Sequence, residues 1–436
     1  VVAGAPFASD MTELLDHEIV AYGDYLAEHD VDAIWSVGGQ IGSVTMQSAF
    51  RMSHTPEQVA ALKQAPLEDR RRKLRSSYHD APLGLAYLPT PGAFPRNAGA
   101  VTVANSVGLS GTEKIAPHLR EEVVDVLRAT DVVSVRDPRS SNAMQRLHVE
   151  HRLVPDVVHA LAALFPAEEV RTSGTAVVQI SDSQLRLYGE DAVVHALATS
   201  EALAPMPLQF VAAGVANGHD SIETLERLAA RVQEVTPGRE VMVDTQRRPM
   251  DIVDVVRRSQ VVISTSLHMR IVAASYGVPR VTLERYKPAH YARHWDPLMP
   301  SNVLVPDLDA AVATALADAD RADVRESAER LTRLADDNAR DIADRVRELV
   351  RSDPGERAKV AQARITAYER LVARRAEEDE HTLALERALR RTRRELEEAR
   401  AARQDPAPAP TWRRTAGRVR RRLGGAVGSA RPQGDK

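Results

Sequence analysis

Short apolar runs alternate with amphipathic stretches along most of the chain. Residues 31–37 read as a strand ending in Gly38-Gly39, followed by a helix over about 41–50. The charged stretch 63–75 reads as a solvated helix or loop. Further strands are expected at 83–88, 101–103, 132–135 and 153–154, with helices at 119–129 and 140–147. A second series is more regular, with strands at 176–180, 208–212, 240–243, 261–264 and 280–283. Helices at 190–202, 221–235, 252–259 and 267–276 fall between them. This alternation predicts an α/β fold of parallel sheets covered by helices on both faces. The break at 165–174, where Pro166 and Gly174 flank an acidic stretch, divides an N-terminal domain over 1–165 from a C-terminal domain over 174–350. Two Rossmann-like domains facing a cleft is the simplest arrangement, with ligands bound in the cleft.

Past residue 355 the pattern changes. Leu385, Leu389, Thr392, Leu396 and Ala399 follow a four-three spacing among Glu and Arg, which predicts a long solvated helix over 355–403. That helix either stays single or forms a coiled coil and makes the protein a homo-oligomer. If it only anchors or oligomerises, deletion beyond about residue 355 is expected to spare activity. Over 404–436, Pro406, Pro408 and Pro410 break any helix, and Trp412-Arg413-Arg414, Arg418 and Arg420-Arg421-Arg422 follow. The segment reads either as a disordered basic tail or as a reversible contact with an anionic membrane surface, with Trp412 as a partial anchor.

Composition narrows the partners. At 436 residues the chain exceeds one ordinary core, in keeping with two domains. Aromatic residues are only 4%, so Val, Leu, Ile and Ala must fill the interior. A net charge of -3 gives no general attraction to nucleic acid, and no aromatics interleave with the basic clusters to stack on bases. The absence of cysteine excludes disulfides, thiolate metal sites and cysteine nucleophiles, and fits a cytoplasmic setting. No signal-like segment and no bilayer-length apolar run is visible. The opening Val1-Val2-Ala3-Gly4-Ala5-Pro6 reads like the middle of a domain, which predicts a first strand and helix upstream.

The densest chemistry lies in Ser264-Thr265-Ser266-Leu267-His268-Met269-Arg270. A buried strand ends at Ser264 and a helix starts within a few residues, at the carboxyl edge of a parallel sheet. Thr265 or Ser266 can cap that helix, and the free N–H groups of its first turn can hold an anion. His268 sits in the first turn, where the helix dipole disfavours imidazolium and a bound anion favours it. Two readings stand side by side: a histidine capping a helix, or one that exchanges protons with an anionic substrate.

Four ordered features in the sequence carry a resemblance. Gly38-Gly39 follows an early strand; Val133-Ser134-Val135-Arg136-Asp137 precedes Ser140; Val154-Pro155-Asp156 closes the first domain. Ser266-Leu267-His268 then leads an apolar helix into Gly277-Val278-Pro279, with Tyr286-Lys287 beyond. Together they resemble the polysaccharide pyruvyl transferase family. The resemblance implies transfer of the enolpyruvyl carbons of phosphoenolpyruvate to a sugar as a ketal, the acceptor being a polysaccharide or lipid-linked glycan precursor. It implies His268 for proton transfer and Arg136, Ser266 and Lys287 for the anionic groups, with Gly38 and Gly39 at the substrate. Many members have Arg before Leu-His where this chain has Ser266, and Arg270 is a candidate substitute. Arg136 can instead pair with a neighbouring acid, Lys287 can simply be solvated, and Asp156 either holds a loop or orients Arg136.

Other patterns are missing. There is no P-loop, no compact metal-binding spacing and no nucleophile elbow around Gly108-Leu109-Ser110-Gly111. Arg70-Arg71-Arg72-Lys73 reads as a solvated helical face. The expectation is a cytoplasmic, GT-B-like transferase without cofactor or metal, at the inner membrane face if the tail binds lipid. Two alternatives keep the fold: a nucleotide-sugar glycosyltransferase, and a non-catalytic binding or assembly protein.

Overall fold

The structure, a computed structural model, describes residues 1–75, 83–166, 172–214 and 220–404. A short parallel pair, β1 (Gly4–Ala5) and β2 (Val20–Ala21), precedes two larger sheets. The first holds β3 (Ala33–Val37), β4 (Val101–Val107), β5 (Val132–Val135) and β6 (Arg152–Leu153), all parallel and in that spatial order. The second holds β7 (Ala176–Gln179), β8 (Leu208–Val211), β9 (Val241–Asp244), β10 (Val261–Ser264), β11 (Arg280–Leu283) and β12 (Ser301–Val303). Its parallel strands lie in the order β12-β11-β10-β7-β8-β9. That is the doubly wound Rossmann order, with its switch point between β7 and β10. The expected α/β, GT-B-like class is therefore found.

The central strands are apolar because both faces are covered. Every residue of β7, β10 and β11 is buried, so apolar residues stand side by side in them rather than alternating with polar ones. Each such Val, Leu or Ile contributes about 1.5–3 kcal/mol by leaving water. The helices between them present apolar stripes; Leu225, Leu228, Ala229 and Val232 face the core from helix Ile222–Val235.

Two local expectations change. Residues 83–88 form no strand among the described residues: the amides of Gly84 and Leu85 donate to the Glu122 carboxylate instead of to a neighbouring strand. Residues 41–44 run alongside the end of β4, and the helix begins at Met46 with Thr45 as its cap. The charged stretch is helical as read, at the end of Pro56–Gln64 and over Leu67–Arg75, where no residue is buried.

Among the described residues, 1–376 pack as one compact unit holding both sheets, and 377–404 belong to a second. The C-terminal helices account for the first unit's extent. Helix Ala322–Val350 returns to the first sheet, where Ile342 packs on Val101, Val103 and Val132 and Asn338 donates to Asn105 at 2.8 Å. That helix, expected with the C-terminal sheet, thus packs on the first one. Helix Pro354–Gln404 is long as expected, but its first half is docked rather than solvated: Arg364, Leu371 and Arg375 are buried. In 377–404, Leu385, Leu389 and Leu396 are exposed. The basic tail with Trp412 lies outside the described residues, as does most of the acidic stretch near 168. No helix among the described residues is long and apolar enough to cross a membrane.

Candidate active site

Both sheets turn their carboxyl edges toward one site. Gly38 and Gly39 follow β3 with positive φ of 58° and 71°, the left-handed turn glycine accommodates. The turn brings Gln40 beside Gly108 at the end of β4, where an added Cβ would lie 2.5 Å from Gln40 Oε1 and 3.2 Å from Arg136 Nε. Arg136 leaves the end of β5. Its Nη1–H donates to Asp156 Oδ2 at 2.7 Å, and both side chains are buried. The second Asp156 oxygen accepts from the Val158 amide at 3.1 Å. Asp156 thus holds both its loop and Arg136, combining the two readings of that residue.

From the second sheet, β10 delivers Ser264-Thr265-Ser266 to helix Leu267–Ser275. Ser266 is the cap, accepting from the Met269 amide at 3.4 Å. Thr265 ties the switch point: its amide and hydroxyl donate to Gln179, and its hydroxyl accepts from the Ser181 amide. Arg285 lies above, donating to Ser181 Oγ and to the Thr265 carbonyl, each at 3.2 Å.

His268 meets the first sheet's pair. Its Nε2 lies 3.4 Å from Arg136 Nη1 and 3.8 Å from Asp156 Oδ2. Since a guanidinium only donates, the contact with Arg136 fits a neutral ring bearing its proton on Nδ1. Crowding by protein lowers the pKa of His268, Asp156 pulls it back up, and Arg136 lowers it again; the net direction is down. The side chain is nonetheless 54% exposed, so the ring lies at the mouth of the site and water screens much of that effect. Burial by itself pushes the Asp156 carboxyl up, but Arg136, His268 and the hydrogen bonds outweigh it, and the group stays ionised.

Beside this cluster lies a pocket of about 210 Å³, lined by Gln40, Ser110, Arg136 and Asp137 from the first sheet's edge and by Leu267 and Lys287 from the second's. Arg139, His290, Arg293 and His294 complete the rim. The Asp137 oxygens accept from the amide and hydroxyl of Ser140, each at 2.8 Å. No carboxylate among the described residues is ion-paired with Lys287, Arg139 or Arg293. Arg139 instead stacks on Tyr286, 4.4 Å from the ring centre. Burial lowers the Lys287 amine, and the positive charges of Arg136, Arg285 and Arg139 lower it further against Asp137. A larger hollow, about 910 Å³, opens at the amino ends of β5 and β6. Ligand sites of parallel sheets lie at the opposite edge, so the smaller pocket is the candidate.

The sequence-predicted residues separate clearly. Arg136, Asp156 and His268 are brought together, Lys287 joins them through the pocket, and Gly38 and Gly39 shape the adjoining turn. Ser266 is adjacent, with its hydroxyl engaged as a cap. Arg270 does not reach the site. Its side chain is 1% exposed and bound to Asp296, Thr282 and the carbonyls of Asp296, Met299 and Pro300, because two residues on from His268 it lies on the opposite, core-facing side of the helix. It is a structural residue, and the absent guanidinium at Ser266 has no substitute there.

Reading the sequence missed helix Tyr286–Trp295. From it, Lys287 and His290 reach the pocket, the Tyr291 hydroxyl accepts from the Asp156 amide at 2.9 Å, and Trp295 Nε1–H donates to the Arg136 carbonyl at 2.9 Å. The spacing Lys287, Tyr291, Trp295 on one helical line was the available signal. Among the described residues no group of three His, Asp or Glu is arranged to hold a metal ion.

Comparison with known proteins supplies a family. No curated protein matches the chain. Among solved structures, a Listeria monocytogenes protein assigned as UDP-N-acetylglucosamine 2-epimerase is 10% identical with a TM-score of 0.34, covering 56% of this chain and 64% of that one. The UDP-GlcNAc 2-epimerase of Neisseria meningitidis, bound to UDP-GlcNAc, is 10% identical with a TM-score of 0.39, covering 70% and 94%. Spinosyn forosaminyltransferase SpnP is 13% identical with a TM-score of 0.36, covering 76% and 94%. The family model described as polysaccharide pyruvyl transferase matches residues 76–286. That span contains Arg136, Asp156 and His268, and over it the chain is similar to the polysaccharide pyruvyl transferase family.

Proposed function

We propose that the chain moves the pyruvyl unit of phosphoenolpyruvate onto two hydroxyls of a sugar, on a polysaccharide or lipid-linked glycan precursor, as a ketal. The observation that carries this reading is a small pocket lined by Arg136, Lys287, Arg139 and Arg293 against the single carboxylate of Asp137, with His268 beside it against Arg136. Phosphoenolpyruvate presents a carboxylate and a phosphate, and preorganised cations stabilise both. The volume, about 210 Å³, also favours a three-carbon phosphate over a nucleotide sugar, since drug-sized ligands occupy about 300–1,000 Å³.

The chemistry balances around these groups. The C2–O bond to phosphate breaks and two C2–O bonds to the sugar form. Of the two hydroxyl protons, one ends on C3, turning CH2 into CH3, and the other leaves with phosphate. Neutral His268 can accept a proton on Nε2, after which Asp156 at 3.8 Å stabilises the imidazolium. The same ring can then return the proton to C3 or to the leaving phosphate. Arg136, aligned by Asp156, and Lys287 neutralise the two anionic groups of the donor.

The test offers phosphoenolpyruvate and a panel of glycan acceptors to the chain, following phosphate release and the vinyl proton signals of the donor. Turnover that disappears in His268→Ala supports the reading. No turnover with any acceptor, together with thermal stabilisation by nucleotide sugars but not by phosphoenolpyruvate, favours the glycosyltransferase alternative.

A further inference from the structure

We propose that Tyr291 is a positioning residue for the Arg136–Asp156–His268 cluster, fixing Asp156 through its backbone amide by means of a proton-ordered relay. The inference rests on that cluster being the reacting centre. Tyr291 is buried in the middle of helix Tyr286–Trp295, on the second-sheet side, yet its partners lie in the segment that follows β6.

The relay has one consistent arrangement. The Asp156 amide donates to the Tyr291 hydroxyl at 2.9 Å, so the phenolic proton must go elsewhere. His159 Nε2, at 3.0 Å, is the acceptor in reach. The His159 ring then carries its proton on Nδ1 and donates to Ser275 Oγ at 2.9 Å, and Ser275 donates to the Ile271 carbonyl at 2.8 Å. Every donor finds one acceptor, and the chain ends on the backbone of the helix that bears His268. An imidazolium at position 159 would leave the phenolic proton without an acceptor. Burial keeps that ring neutral, its pKa pushed down to about 4 although Asp156 and Asp296 pull upward, and Arg280 adds to the lowering. Burial and Asp156 likewise keep the Tyr291 phenol protonated.

Positioning follows from where the relay ends. The Asp156 carboxylate is held by Arg136 and the Val158 amide, and its backbone by Tyr291. The charged groups facing His268 are Asp156 from the segment after β6 and Arg136 from the end of β5. Asp156 alone raises the His268 pKa. If it drifts, Arg136 remains and the imidazole becomes harder to protonate.

The readout is the NMR titration of His268 in the ligand-free full chain, assigned with His268→Gln. Tyr291→Phe fills the same space without the hydroxyl. It is expected to lower the His268 midpoint by about half a pH unit. It should also lower kcat by about tenfold or more, while KM for phosphoenolpyruvate moves little. His159→Gln keeps an acceptor for the phenol and should leave the His268 titration near that of the parent, whereas His159→Leu should shift it as Tyr291→Phe does. If Tyr291→Phe fails to fold, the Gln and Leu pair decides. An unchanged His268 midpoint in Tyr291→Phe, or equal midpoints in His159→Gln and His159→Leu, overturns the relay. Because the titration needs no substrate, failure to observe pyruvyl transfer leaves this test intact.

Discussion

Trp295 of the second sheet's helix donates its indole N–H to the carbonyl of Arg136 at the end of β5, at 2.9 Å. The residue that supplies a guanidinium to the pocket is thereby tied, through its backbone, to the helix that supplies Lys287. Trp295→Phe keeps most of the apolar contact with Ile271, Tyr291 and Leu331 but leaves a buried carbonyl unpaired. The expected loss is about 1–3 kcal/mol of stability in urea denaturation. Phosphoenolpyruvate binding by calorimetry should weaken with it.

His159 makes stability depend on pH with a definite sign. Its folded pKa is about 4, below the ordinary value of 6.5, so the unfolded chain takes up the proton first as pH falls. The stability of the neutral, buried ring is complete above 6.5 and is lost between 6.5 and 4. The shift corresponds to roughly 3 kcal/mol in order of magnitude. Urea denaturation at neutral pH and near pH 4.5 should show this decline, and His159→Gln should flatten it.

Arg270 and Lys287 should separate experimentally. Arg270 supports Asp296 together with Arg280, and Arg270→Met breaks that buried group, at a cost of about 3–5 kcal/mol. Anion affinity per folded molecule should be unchanged. Lys287→Met should do the reverse, keeping the melting temperature and weakening the anion. If Arg270→Met folds normally and binds phosphoenolpyruvate poorly, the assignment of Arg270 to the core is wrong.

The contrast shows what the sequence could carry. β5, β10 and β11 were legible to the residue because strands buried on both faces are rich in adjacent apolar, mostly β-branched residues. The proximity of His268 to Arg136 was legible only through the family motifs, since nothing local in either segment points to the other. Helix Tyr286–Trp295 was missed although Pro288, Tyr291, Ala292 and Trp295 recur at helical spacing, because its apolar stripe is thin and interleaved with Lys, Arg and His. Arg364 and Arg375 misled for the same reason. A charged helix face reads as solvated unless its buried acidic partners are known.

Those partners determine where the C-terminal helix can be cut. Arg357 and Arg364 both bind Asp131, at 3.0 and 2.9 Å, and Arg364 also donates to the carbonyls of Ala98, Ala100 and Ala129. Arg375 binds Glu122 at 2.9 Å. Burial pushes the Glu122 carboxyl up even with Arg375 and the Gly84 and Leu85 amides opposing it. A chain ending at Gly355 leaves both acids without guanidinium partners and should lose at least about 3–5 kcal/mol, with little soluble product. A chain ending at Ala376 keeps every one of these contacts. It should melt like the full chain, so the role of the distal helix and tail is to be tested by truncation there and not at 355.

Lys287 should couple ligand binding to protons. Burial and the neighbouring Arg136, Arg285 and Arg139 lower its pKa in the free chain, so the neutral amine forms at a lower pH than in an ordinary lysine. A bound phosphate or carboxylate favours the ammonium and raises that pKa again. Binding then takes up a fraction of a proton on the alkaline side and none at lower pH, where the amine is already charged. Affinity is full below the lowered pKa and declines as pH rises through it. Calorimetry of phosphoenolpyruvate binding in two buffers of different ionisation enthalpy measures the uptake directly. In Lys287→Met the uptake should vanish and affinity at neutral pH should fall by about tenfold, or about 1.4 kcal/mol. Equal proton uptake in the parent and in Lys287→Met would show that the anion sits elsewhere on the rim, against Arg139, Arg293 and the His290–His294 pair.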